Sequence, residues 1–248
     1  MVRAAHPVSV SEANSGAARW GSLFRIGAGA ALMMALFAPV QVVVYVLNPP
    51  PATVSGWCAF LAADRISALI DLDLLLVVDQ VLTLLMFLAF YAALPRARAA
   101  GSLVGVALGL LSAILMIAIN PALGLLNLCL PQAGQGALAG DAVSLAAGLA
   151  LLSQSQGSAF HVSYIVGSIG SILLSWQMVH SPAFSRSTAW FGLLGNGFAL
   201  GLYVPSIGIW LSLGSVVFLW AWCVLAARDL LRLARTARHQ LSVKPIAA

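Results

Sequence analysis

Residues 72–94 read LDLLLVVDQVLTLLMFLAFYAAL. Between 74 and 94 the only charged residue is Asp79, and neither glycine nor proline interrupts the run. About 20 mostly apolar residues are what a helix needs to cross the hydrocarbon core of a bilayer. A barrel strand would alternate apolar and polar residues. Continuous apolarity therefore predicts a transmembrane helix, because lipid offers no partner to an open strand edge.

The rest of the chain repeats this pattern. Of 248 residues, 61% are hydrophobic and 8% charged, and the mean hydropathy is +1.00. A soluble domain carries about 25% charged residues, so a soluble globular protein is excluded. Disorder and a disulfide-rich secreted scaffold are excluded as well, by low polarity and by only three cysteines. Stretches 26–63, 99–140, 142–185 and 187–227 contain no Asp, Glu, Lys or Arg. Six spans are predicted, over 26–47, 72–94, 103–119, 162–179, 189–207 and 209–227. The expected fold is an all-α, polytopic six-helix transmembrane bundle occupying 23–235. It lies between a disordered cytoplasmic tail (1–22) and a second cytoplasmic tail (236–248). The first apolar run is too long for a signal-peptide core, so that helix is expected to stay uncleaved.

Charge sets the orientation. With six spans, Arg3, Arg19, Arg25, Arg96, Arg98, Arg186, Arg228, Arg232, Arg235, Arg238 and Lys244 fall on one side, and only Arg65 dissents. The positive-inside rule makes that side cytoplasmic and puts both termini inside. A seventh span over 138–156 would break this count. Leu138, Ala142, Leu145, Leu149 and Leu152 share one helical face there, opposite Asp141, Ser144, Gly148 and Ser155. An amphipathic helix in the outer leaflet is expected instead. Residues 56–70 should behave likewise, anchored by Trp57, Phe60 and Leu61. The basic residues serve topology and anionic lipid, and no nucleic-acid module is present.

Polar residues inside spans mark candidate sites. A carboxylate at a helix centre costs about 2.5–3.5 kcal/mol on insertion scales, so Asp79 must face protein or water. Thr83 lies one turn further on the same face. Asp79 reads equally as a proton- or substrate-binding carboxylate and as a hydrogen-bonded structural one. In the fourth span His161, Tyr164, Ser168, Ser171 and Ser175 form one stripe, and polar stripes turn toward the bundle interior. Depth along the helices predicts that Asp79, Thr83, His161, Tyr164 and Ser168 share an outer-half pocket, which Asn120 and Asn127 could join. The competing reading makes His161 and Tyr164 interfacial anchors. Asp64, Asp71, Asp73 and Asp141 gather outside, where they favour helix N-termini or could hold a hard cation with His161.

Gly101, Gly105 and Gly109, and likewise Gly197 and Gly201, repeat at four residues. Such faces let helix backbones approach closely, within the bundle or in a homo- or hetero-oligomer. Ser168 between Gly167 and Gly170 is a pattern some intramembrane proteases share, but no second catalytic histidine accompanies it. Pro39 and Pro205 should kink the first and fifth spans, and Asn120-Pro121 should end or kink the third. Cys58 and Cys129 both fall outside and could form a disulfide, with two buried thiols as the alternative; Cys223 lies within the sixth span. No zinc-type cysteine pair or cofactor motif is present.

Arg25-Ile26, Phe160-His161 with Tyr164 and Gly167, and residues 181–184 with Arg186 and Gly192 resemble a bacterial family. It is a family of six-helix membrane proteins catalogued as domain of unknown function 4386, and the resemblance covers residues 20–235. It implies a bacterial inner-membrane protein and carries no catalytic residues over. The expected function is a non-enzymatic small transporter, sensor or complex subunit, meeting membrane lipids and a small hydrophobic or cationic ligand. The alternative is a membrane-embedded enzyme acting on a lipid or isoprenoid through Asp79, His161 and Tyr164. A pigment-binding subunit, with His161 or His180 as axial ligand, is a third reading.

Overall fold

The computed structural model describes residues 20–94, 99–130 and 142–243. The expected tail before Trp20, the loop arginines Arg96 and Arg98, Leu138, Asp141 and Lys244 lie outside the described residues. Every regular element described is helical: α1 (Gly21–Leu47), α2 (Val54–Ala63), α3 (Arg65–Asp71), α4 (Leu74–Ala93), α5 (Ala99–Ala118), α6 (Ala122–Cys129), α7 (Ala142–Gln154), α8 (Ser158–Val179), α9 (Arg186–Leu200) and α10 (Gly208–Val243), with a 3-10 turn over Gly201–Tyr203.

Local chemistry sets the breaks. Pro49, Pro50 and Pro51 end α1. Thr53, Asp64 and Ser185 cap α2, α3 and α9, each accepting a backbone N–H at 3.1–3.2 Å. The Asn120-Pro121 break separates α5 from α6 as expected. Pro205 lies beyond the end of α9 rather than kinking a span. The helix expected over 189–207 stops at Leu200.

Among the described residues, five helical stretches are long and apolar enough to cross a membrane: Gly21–Leu47, Leu74–Ala93, Ala99–Cys129, Ala142–Val179 and Gly208–His239. The sixth expected span, α9, has 15 residues, about 22 Å at 1.5 Å per residue. That is short of a hydrocarbon core of about 30 Å. α9 nevertheless completes the architecture. α1 packs on α4, α4 on α5, α5 on α8, α8 on α9, α9 on α10, and α10 back on α1. Six helices thus form a closed ring in chain order.

The two ends of the ring differ in charge. Gly21 lies against Ala237, so the start of α1 and the late turns of α10 share one end with Arg186 and Arg228. The opposite end carries Asp64, Asp71 and Asp73. At the basic end Asp229 (2% exposed) pins α10 to the start of α9. It accepts hydrogen bonds from Thr188 Oγ1 (2.5 Å) and the Ser185 N–H (2.8 Å), with Arg228 Nη2 at 3.2 Å.

Two cores follow. The ring core gathers Phe24, Met86, Phe87, Phe90, Leu174 and Trp222. A separate cluster of Trp57, Leu61, Ala68, Leu72, Ala122 and Leu125 forms a cap at the acidic end. α7 packs on this cap through Ser144 and Gly148, while Leu149 faces outward. The small polar face is the packing face because lipid takes up an apolar one as readily as another helix does. The glycine face of α5 is used inside the chain. Gly101, Gly105 and Gly109 lie against Gln177, Leu174 and Phe87, whereas Gly197 has open space around it and Gly201 meets Leu211.

Candidate functional site

All six ring helices line a central cavity of about 340 Å³. Asp79 enters it less than two turns from the start of α4, about 8 Å along the axis. Gln80 and Thr83 follow on the same helix. Ser112 and Met116 of α5 and Tyr164, Ser168 and Ser171 of α8 continue the wall. Asn196, Trp222 and Cys223 close it from α9 and α10. Thr83 Oγ1 donates to Met34 Sδ at 3.9 Å, tying α4 to α1. The Tyr164 hydroxyl lies 3.2 Å from Ser212 Oγ on α10.

The structure brings together four of the predicted pocket residues: Asp79, Thr83, Tyr164 and Ser168. The other three, His161, Asn120 and Asn127, lie elsewhere. His161 is exposed, its Nδ1 lying 3.0 Å from the Tyr203 hydroxyl in an aromatic group with Phe160 and Tyr164. Asn120 donates to the carbonyls of Leu72 (3.2 Å) and Asp73 (3.0 Å), bracing the α3–α4 turn. His180, at the basic end, pairs with the Trp176 carbonyl. Asn127 does not line the cavity.

Asp79 is the one residue among the lining Asp, Glu, Lys, Arg and His types. Among the described residues it has no hydrogen-bond or ion-pair partner. A carboxyl so placed needs a proton, a cation or water. Asn196 and Trp222 were not legible as site residues. Asn196, buried, donates to the Gly192 carbonyl at 2.8 Å, while the buried Trp222 Nε1 has no partner among the described residues. A lone asparagine in an apolar stretch was the available signal for Asn196; nothing distinguished Trp222 from the chain's other tryptophans.

A second polar group sits at the acidic end, between α1 and the α3–α4 turn. Gln41 Nε2 donates to Asp73 Oδ1 at 2.6 Å, and the Tyr45 hydroxyl lies 3.0 Å from the Asp71 carbonyl and 3.3 Å from Asp73 Oδ1. Asp73 adopts left-handed backbone (φ 60°). Asp71 is 4% exposed, and neither carboxyl oxygen has a hydrogen-bond partner among the described residues. No group of three or more His, Cys, Asp or Glu among the described residues could hold a metal ion.

Burial, and then the neighbouring Asp73 charge, push the Asp71 carboxyl above the ordinary carboxylate range. Burial also raises Asp73, against the lowering bonds from Tyr45 and Gln41. The Ser67 hydrogen bonds lower Asp64. A raised Asp71 means that the fold holds this proton more tightly than the unfolded chain does. Its stabilising contribution is complete below the ordinary carboxylate value, near about pH 4, and is lost as pH rises through the raised one. Asp71→Asn is therefore expected to stabilise the protein at neutral pH by about 1 kcal/mol, the scale of an unsatisfied buried polar group. The gap in melting temperature should narrow on acidification. Asp73 and Asp64 persist in both proteins, so the difference isolates Asp71. A variant no more stable than wild type at neutral pH would mean that this carboxyl is already compensated.

Cys58 of α2 and Cys129 of α6 form a disulfide within the cap, and Cys223 is a buried free thiol. No family model, curated protein or solved structure matches this chain.

Proposed function

We propose that this multi-pass membrane protein binds a small hydrophobic or cationic ligand in the cavity of its helix ring, as a small transporter, sensor or complex subunit. One observation carries the reading: a carboxylate without a partner among the described residues stands in an otherwise uncharged cavity. The cavity size lies within the range of small-molecule sites, about 300–1,000 Å³. Phe87, Tyr164 and Trp222 supply aromatic surface that suits a cation beside a carboxylate. The enzyme reading required His161 as an acid–base partner of Asp79, and His161 is engaged with Tyr203 away from the cavity.

The topology belongs to the same proposal: six crossings, both termini cytoplasmic, in a bacterial inner membrane. The closed ring, and the placing of Arg186 and Arg228 together at one end, support it. Kinship with the six-helix family named above is part of the proposal and rests on the residues quoted for it. Of the four-spaced glycines named above, Gly197 supports contact with another copy or a partner, since the α5 glycines are filled from within the chain.

Octylammonium binding to the full chain in lipid nanodiscs tests the function. Asp79→Asn is expected to weaken it about thirtyfold, matching the loss of about 2 kcal/mol when one partner of a buried charge pair is removed. Equal affinity in the variant would remove Asp79 from the site and the proposal with it.

A further inference from the structure

Pro39 sits inside α1. Proline has no backbone N–H, so the carbonyl four residues earlier, that of Ala35, loses its intrahelical donor. Within hydrocarbon an orphan carbonyl must find another partner. Here the partner comes from a different helix: Trp220 Nε1 of α10 donates to the Ala35 oxygen at 2.8 Å.

This bond lies in the cavity wall. Ala35, Ala38, Val216 and Trp220 all line the cavity. Trp220 is also 48% exposed, and Val216, one turn away, is exposed too. At this level the Trp220 indole, through its bond to the Ala35 carbonyl, bridges the seam between α1 and α10. Nearer the basic end the same two helices are sealed, with Ala28, Ala31, Ala226 and Leu230 fully buried. Past Ala31, α1 has no buried residue. The α5–α8 wall, by contrast, is closed by backbone against backbone at Gly105 and Gly170.

We infer that the α1–α10 seam is a lateral portal and that the ligand reaches the cavity from the bilayer. Trp220 is its latch. This rests on the ligand-binding reading of the cavity and narrows its ligand class to lipophilic amines. Such a molecule partitions into the membrane through its hydrocarbon and carries an ammonium for Asp79. Opening needs one indole to swing and one hydrogen bond to break. The proline leaves the outer part of α1 free of the bond that would stiffen it.

Loading and release of radiolabelled octylamine, measured on the full chain in nanodiscs, test the portal. Trp220→Phe removes the N–H while keeping an aromatic ring. Loading and release are expected to accelerate together by about fivefold, the factor that one net hydrogen bond is worth. Val216→Trp thickens the seam at an exposed position and should slow both. Tetramethylammonium, a charge with no chain to partition, should bind poorly at the same aqueous concentration. Unchanged rates in Trp220→Phe overturn the portal, and so does tetramethylammonium binding as tightly as octylammonium. If Trp220→Phe fails to fold, unchanged rates in Val216→Trp overturn it equally. Octylammonium affinity that falls in Asp79→Asn, with loading and release rates indifferent to both seam variants, sinks the portal alone. Binding indifferent to Asp79→Asn sinks the cavity reading itself.

Discussion

Replacing Gly170 with leucine is expected to prevent the ring from closing. A Cβ at this position would lie 2.7 Å from the Gly105 carbonyl oxygen, 3.0 Å from the Gly109 nitrogen and 3.1 Å from Leu108 Cβ. Two of the three obstacles are backbone, which no rotamer change can move. The reverse contact is equally tight, because a Cβ on Gly105 would lie 3.0 Å from the Gly170 oxygen and 2.9 Å from Leu174 Cγ. Helices in lipid gain little from hydrophobicity when they associate, so their stability rests on such close approach. Overpacking a well-filled site costs about 1–3 kcal/mol, and more where relief is blocked. Leucine at position 170 should reach at least the top of that range, about 3 kcal/mol. The measurement is the yield of monodisperse protein after detergent extraction, together with its melting temperature. Leucine at Gly29 or Gly197, where a Cβ meets nothing within 4 Å, is the control for hydrophobicity alone. Equal loss in all three variants would show that the effect lies in expression or insertion and not at the α5–α8 seam.

This contrast marks how far the chain was legible. Charge-free apolar runs announced helices wherever they were long, and the four-residue glycine spacing of α5 named a packing face. At Gly197 the same spacing names a face with open space around it, because a periodicity fixes a face but not what stands opposite it. Depth and stripe arguments grouped Asp79, Thr83, Tyr164 and Ser168, and the structure places all four along one cavity. They misplaced the two residues near helix ends. His161 lies in the first turn of α8, and the aromatic group around Tyr203 takes its ring. Asn120 lies where Pro121 breaks the helix, so the bundle no longer sets its direction and the carbonyls of Leu72 and Asp73 claim its amide. α9 was read as too long because hydropathy continued past Leu200, while the 3-10 turn and Pro205 had already changed the backbone. The bond from Trp220 to Ala35 joins positions 185 residues apart. No local pattern announces such a pair, although Pro39 did announce that some carbonyl needed a donor.

Converting Cys58 and Cys129 to serine is expected to loosen the cap and leave the ring standing. The bridge closes a loop between positions 71 residues apart, and on the chain-entropy account that constraint is worth about 4 kcal/mol. The loss should not spread evenly. Cys58 and Cys129 join α2 to α6, and the apolar cluster they reinforce (Trp57, Leu61, Ala68, Leu72, Ala122 and Leu125) is separate from the ring core around Phe87 and Phe90. Local opening of such a unit has its own free energy. Amide hydrogen exchange in α2, α3 and α6 should therefore accelerate, by as much as about a thousandfold if the full 4 kcal/mol falls on that unit. Exchange in the middle of α5 and α8 should stay as slow as in the wild type. The cap and the ring meet at Asn120, whose amide holds the two carbonyls at the start of α4. The first turn of α4 should accordingly exchange at an intermediate rate. Uniform acceleration through the ring would mean that cap and bundle unfold as one unit, and that the two cores are one in energy though separate in space.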